Sequence, residues 1–310
     1  MKRVCRRKIQ IDALTLCYEV ENTYYYDRLC QLNYDETIDL GDFQLTRTTD
    51  DNYGLSKCYL KRTTGRYYYN VYDIKAWNGT RDIVFGQLKF NLANGNDESN
   101  VHSNGLAKVW VSLNNETLYS TDIYFLDYIT DRLGLIAHNI TTLDLCLDTS
   151  FNVSSSLKQF IRDKSITTIL NGRRIIDRDA DRPEIVYVMS GSLNKYKYLT
   201  LSIKQRNAIK DKSKGVTIIT YDKKAEILNS SEKTYILDYY QRPRSLYRTE
   251  VHLNNEDIKA YLNREGKEFN PLMIFDEATL EDMFFHHLNS VIRFQSKAKD
   301  VSWSYILGRS

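Results

Sequence analysis

Nine stretches of this chain alternate apolar with polar residues, or run in β-branched residues, between turn formers, and they confine it to folds built around a sheet. They lie at 9 to 20, 67 to 74, 83 to 91, 107 to 113, 141 to 148, 185 to 189, 197 to 203, 215 to 221 and 246 to 253. Helical spacing is clear at 122 to 133, 153 to 163 and 276 to 294. The first of these carries apolar residues at 123, 126, 129 and 133 and stops at Gly134, and the last opens at Asp276, a good N-cap. Strands come in runs rather than in strict alternation with helices. The expected fold class is therefore α+β, an antiparallel-rich central sheet covered on one face by helices.

Composition narrows the function classes. With 310 residues, 42% of them hydrophobic, and 43 Lys plus Arg against 40 Asp plus Glu, the chain can bury a large core as one large domain or two ordinary ones. No run of about 18 apolar residues occurs, and Met1-Lys-Arg-Val-Cys-Arg-Arg-Lys8 leads into an alternating segment rather than an apolar signal core. An intracellular protein with no membrane partner is expected. Five cysteines without C-x-x-C spacing argue against a disulfide framework and a structural zinc. The 24 tyrosines suit both strands and base stacking. Phosphate-loop, dinucleotide-binding, nucleophile-elbow and H-E-x-x-H motifs are absent, and His286-His287 are adjacent rather than at ligand spacing. These absences argue against a nucleotide-hydrolysing engine and a serine hydrolase.

Four segments carry groups that could do chemistry. In Ile140-Thr-Thr-Leu-Asp-Leu-Cys-Leu-Asp148, alternation puts Asp144, Cys146 and Asp148 on one strand face, with the two carboxylates about 13 Å apart, too far to share an ion on a straight strand. In Ser245-Leu-Tyr-Arg-Thr-Glu-Val-His-Leu253, one face holds Arg248, Glu250 and His252; the last two lie about 7 Å apart, a span that one divalent ion can be flanked across. For both strands the plainer reading is a polar face turned to solvent. The β-branched strand Val216 to Thr220 delivers Tyr221 at its end, with Lys223 two residues on. A nucleophilic phenol needs nearby cations or a base to ionise, whereas most tyrosines on strands simply pack. Finally, Lys195, Tyr196, Lys197, Tyr198, Lys204, Arg206, Lys210, Lys212 and Lys214 interleave cations with aromatics, a pattern suited to single-stranded nucleic acid or to a solvated charged hairpin.

The order of these segments resembles the replication-initiation (Rep_trans) family of plasmid and phage rolling-circle initiators, in the HUH-like relaxase superfamily. Leu143-Asp-Leu-Cys-Leu-Asp148 is similar to its R-I-D-L-A-x-D strand, Tyr221-Asp-Lys-Lys-Ala-Glu226 to its Y-x-K-x-x-E segment, and Arg248-Thr-Glu-Val-His-Leu253 to its R-x-E-x-x-L strand. The likeness spans about residues 120 to 260. Leu143 stands where the family commonly has Arg, and Glu250-Val251-His252 stands where the wider superfamily has a His-hydrophobic-His pair.

The resemblance implies a relaxase-like fold with an N-terminal β-rich half over 1–120, a catalytic half over 121–270 and a C-terminal helical segment over 271–310. It implies origin-specific DNA nicking and closing through a 5'-phosphotyrosyl intermediate on Tyr221. Lys223 and Arg248 would then supply fixed positive charge, and Mg²⁺ or Mn²⁺ would be held by Glu250, His252 and one of Asp144 or Asp148. The implied partners are single-stranded or cruciform origin DNA, a host helicase and polymerase, and a second copy in a homodimer, in a bacterial cytoplasm. Two alternatives use the same residues: a DNA-binding or virion-associated structural protein without turnover, and a metal-dependent nuclease without a covalent intermediate.

Overall fold

Alternation in the sequence becomes antiparallel ladders in a mixed α/β chain of the α+β kind. The computed structural model describes residues 8–41, 56–77, 79–93, 100–177, 181–190, 197–211 and 214–308. Two compact units divide the chain, Ala13–Thr141 and Met1–Asp12 with Thr142–Ser310. The division runs through two strands, β1 (Ile9–Val20) and β7 (Leu135–Thr149).

In Ala13–Thr141, β1 is followed by β2 (Thr37–Gly41), β3 (Ser56–Thr63), β4 (Tyr68–Trp77), β5 (Asp82–Leu92) and β6 (Lys108–Leu113). Their order is β1-β6-β5-β4-β3-β2, antiparallel at each step. Leu16, Ile38, Leu60, Tyr72, Phe90 and Val111 make its buried core. The helix Leu126–Arg132 ends as the sequence signals: Gly134 takes φ +66°, and a Cβ there would fall 2.5 Å from Asn22 Cβ. Its carbonyl accepts the backbone N–H groups of Glu21 and Asn22 at 2.9 and 3.2 Å, so the glycine also fixes where β7 begins.

The second unit adds β8 (Ile166–Leu170), β9 (Arg173–Arg174), β10 (Ile185–Ser190), β11 (Tyr198–Lys204), β12 (Thr217–Asp222), β13 (Tyr247–Asn254), β14 (Ile292–Ser296) and β15 (Lys299–Asp300). The larger sheet runs β10-β11-β12-β13-β7, with β1 next to β7, and the smaller runs β15-β14-β8-β9. Every ladder from β10 to β7 is antiparallel. One face of the larger sheet is apolar: Leu145 lies opposite Val251, which lies opposite Ile218, which lies opposite Ile203, and all four are fully buried. Helices Val153–Arg162 and Glu277–Val291 pack on β12 and β13, burying Leu157, Ile161, Met283, Phe284 and Leu288. Each such side chain contributes about 1.5–3 kcal/mol by leaving water.

The expected helix 276–294 ends at Val291, and residues 292–296 are β14 instead. The apolar residues of Val291-Ile-Arg-Phe294 satisfy either period, and pairing with β8, which buries Ile292 and Phe294, decides it for the strand. Among the described residues no helix is long and apolar enough to cross a membrane.

Candidate active site

The other face of the larger sheet is polar, and the ladder register aligns its residues in three rungs. Tyr221 lies opposite Arg248, which lies opposite Asp148. Ser202, Ile219, Glu250 and Cys146 form the next rung, and Lys204, Thr217, His252 and Asp144 the third. With neighbouring strands about 4.8 Å apart, groups from four strands are brought within side-chain reach on one surface. The sequence predicts each strand's polar phase; the register adds that the phases coincide.

The first rung is sealed. Arg248 is 0% exposed; its Nε and Nη2 donate to the two Asp148 oxygens at 2.7 and 2.6 Å, and its Nη1 donates to Asp12 Oδ1 at 2.5 Å. A guanidinium fork matched to a carboxylate can stay charged without water. Tyr221, 9% exposed, donates its hydroxyl to Glu250 Oε1 at 2.5 Å and accepts from Lys223 Nζ at 3.2 Å. Lys223 also pairs with Glu226 Oε2 at 3.1 Å. It is placed by the chain reversal after β12, where the Asp222 side chain caps the turn Lys223–Glu226 by accepting from Ala225 N. Gln10 completes this end: its amide donates to Tyr239 Oη at 2.7 Å and accepts from Tyr240 Oη at 3.1 Å.

Exposure grows along the rungs. The Arg248 and Asp148 side chains are 0% exposed, Glu250 16%, Asp144 25% and His252 38%, so the surface opens to solvent at its His252 end.

Electrostatics follow the same gradient. Burial, then the Glu250 charge, push the Tyr221 phenol far up, with Arg248 opposing, so at neutral pH it carries its proton. Burial pushes Glu250 up to about 6, with Arg248 opposing. His252 is raised by its hydrogen bond with Asp144, against burial, so the pair favours imidazolium beside carboxylate. The neutral phenol thus has a proton acceptor, Glu250, and a cation, Lys223, both at its oxygen.

The proposed metal ligands share this face without converging. Asp148 has both oxygens on Arg248, Glu250 is bound by Tyr221, and Asp144 is bound by His252. Among the described residues, the group of three whose donor atoms all lie within 4.8 Å of one another is Glu19, His102 and His138, in Ala13–Thr141. As arranged, then, Asp144, Asp148, Glu250 and His252 do not fit a shared ion.

Of the basic segment, Lys195, Tyr196 and Lys212 lie outside the described residues. Lys197, Arg206, Lys210 and Lys214 are exposed, with Arg206 paired to Glu184 at 3.6 Å, and Tyr198 and Lys204 are half-buried on β11. Sequence reasoning missed Asp12, Gln10 and the Glu19 cluster. Gln10 and Asp12 had a signal, the polar phase of Ile9-Gln-Ile-Asp12, which equally describes a solvated strand. No family model, curated protein or solved structure matches the chain.

Proposed function

We propose that the chain is an origin-specific DNA nicking-closing enzyme that starts rolling-circle replication through a 5'-phosphotyrosyl intermediate on Tyr221. The observation that carries this is the Tyr221 hydroxyl held between Glu250 and Lys223, in a polar surface assembled from the three motif segments. In the reaction, Tyr221 Oη attacks the phosphorus of an exposed single strand as its proton passes to Glu250. The P–O3' bond breaks, and the departing oxygen takes a proton from water to become the 3'-hydroxyl that primes a polymerase, while Glu250 later returns its proton to solvent. Lys223 offsets charge on the attacking oxygen, and Arg248 fixes Glu250 from 3.6 Å. Rejoining runs the same steps backwards.

Tyr221, Glu250, Lys223 and Arg248 supply the nucleophile, the base and the charges of this reaction from the chain itself. The Mg²⁺ or Mn²⁺ implied by the resemblance finds no donor set here as arranged, since Glu250 is engaged by Tyr221 and Asp144 by His252. Loss of activity in EDTA with recovery on Mn²⁺ would require His252 and Asp144 to part and turn to the ion, and full activity in EDTA would remove the ion from the reading.

A second reading, a DNA-binding or virion-associated protein without turnover, is favoured by the burial of Tyr221 at 9% and Arg248 at 0%, since a satisfied polar core looks the same. Incubation with a random-sequence pool of single-stranded DNA separates the two. An enzyme retains 3'-end-labelled DNA through SDS and releases 5'-labelled fragments, whereas a binding protein retains neither label once denatured.

A further inference from the structure

We propose that Glu19, His102 and His138 form a site for a divalent transition-metal ion of the Zn²⁺ type, separate from the Tyr221 surface and independent of its function. The three come from different places in Ala13–Thr141: Glu19 near the end of β1, His138 on the early part of β7, and His102 in the turn between β5 and β6. That turn is held by His102 N donating to Leu106 O at 2.8 Å and by Val20 N donating to Ala107 O at 3.2 Å.

The orientation of the donors carries the inference. His102, 8% exposed, has its Nε2 at 3.1 Å from the Tyr18 carbonyl, which can only accept, so Nε2 bears the proton. In the neutral ring Nδ1 is then a lone pair, and it faces Glu19 Oε1 at 3.8 Å. Two acceptors held face to face repel unless a cation lies between them. His138 Nδ1 is the third donor, 3.1 Å from the same oxygen. Tetrahedral ligands on bonds of about 2.1 Å sit about 3.4 Å apart, and 3.1 and 3.8 Å bracket that spacing. Glu19 is oriented from behind, its Oε2 accepting from Asn104 Nδ2 at 3.0 Å, so Oε1 is the oxygen turned to the histidines. A carbonyl behind the imidazole and an amide behind the carboxylate are the outer partners that metal ligands use.

Two nitrogens and one oxygen favour Zn²⁺, Co²⁺ or Ni²⁺ over Mg²⁺ or Ca²⁺. The His138 side chain is 42% exposed, which leaves a side for entry and for a water as fourth ligand. Cys17 does not join the set: its Sγ lies 3.9 Å from the protonated Nε2, and burial pushes its thiol up to about 11.

The test is titration of the metal-stripped full chain with Zn²⁺ by calorimetry, and with Co²⁺ by its visible absorption. One equivalent with a four-coordinate Co²⁺ spectrum is expected. His138→Ala, at the most exposed ligand, should weaken binding at least tenfold with the fold intact by circular dichroism, and Asn104→Ala should weaken it about 10- to 100-fold. His286→Ala should leave it unchanged. Zn²⁺ binding that is absent from the wild type, or equal in the wild type and His138→Ala, overturns the proposal and leaves a hydrogen-bonded cluster sharing a proton.

Discussion

Arg248 shows how one residue can hold a site together and still be unreadable as such from sequence. Alternation puts it on a polar face, which by itself predicts exposure, yet its side chain is fully buried between Asp148 and Asp12. Spacing identifies the phase of a strand but not the charge opposite it, and Asp12 is 236 residues away. Arg248→Ala should destabilise the chain by about 3–5 kcal/mol in urea denaturation, because two carboxylates lose their buried counter-charge. A cost under about 1 kcal/mol would show that the pair is solvated. Glu250 gives a pH signature with two signs. Its native pKa is raised from near 4.5 to about 6, so between those values the native state keeps a proton that the unfolded state has released. Its contribution to stability therefore falls as pH rises through that window, while the deprotonated form needed to accept the Tyr221 proton grows. Adduct formation should climb through about pH 6 in the wild type, and the stability difference from Glu250→Gln should change over the same interval. A wild-type rate that is flat from pH 5 to 7 contradicts the base role.

Elements were more legible than the pairings between them. β1, β10 and β11 to β13 fall within a residue or two of their predicted ranges, because each is a long alternating or β-branched run flanked by turn residues. The short strands β2, β8, β9 and β15 carry too few residues for a period to show, and their place is set by partners. β13 passes directly into helix Asn255–Arg264 through Asn254, whose side chain accepts from Glu256 N and Asp257 N while Asp257 reaches back to the Asn254 N–H. This capping box fixes the end of the strand that carries Arg248, Glu250 and His252. Asn254→Ala should cost about 1 kcal/mol by chemical denaturation. The segment 223–240 contributes Lys223 and Tyr240 to the sealed rung and contains a π-helical turn, Ile227–Ser231, of the kind often found at functional sites. Tyr221 is 9% exposed, so on the proposed mechanism its surroundings must open for a phosphate to reach it.

At the scale of the molecule, the chain separates into two units whose boundaries lie inside β1 and β7, where no linker composition can mark them. The polar surface belongs to one unit and the Glu19 cluster to the other. The sequence carried the first because its groups lie in three short segments with strand alternation, and missed the second because its residues stand 83 and 36 positions apart in turns and strands without a shared pattern. The exposed cations Lys197, Arg206, Lys210 and Lys214 make a prediction for the whole DNA complex. If they meet phosphates, replacing all four should weaken binding to every sequence and flatten the log-log salt dependence by about 0.7 to 0.9 for each phosphate left without its cation. An unchanged slope would identify a solvated hairpin and move the DNA surface elsewhere.

The most direct measurement is peptide mapping of the covalent adduct between the chain and single-stranded DNA, by nuclease trimming and mass spectrometry. The nucleotide remnant should be on Tyr221, and Tyr221→Phe should abolish the adduct while DNA affinity stays within about twofold. A remnant on Tyr239 or Tyr240, the pair bound to Gln10, or an adduct that survives in Tyr221→Phe, contradicts the assignment of Tyr221 as nucleophile.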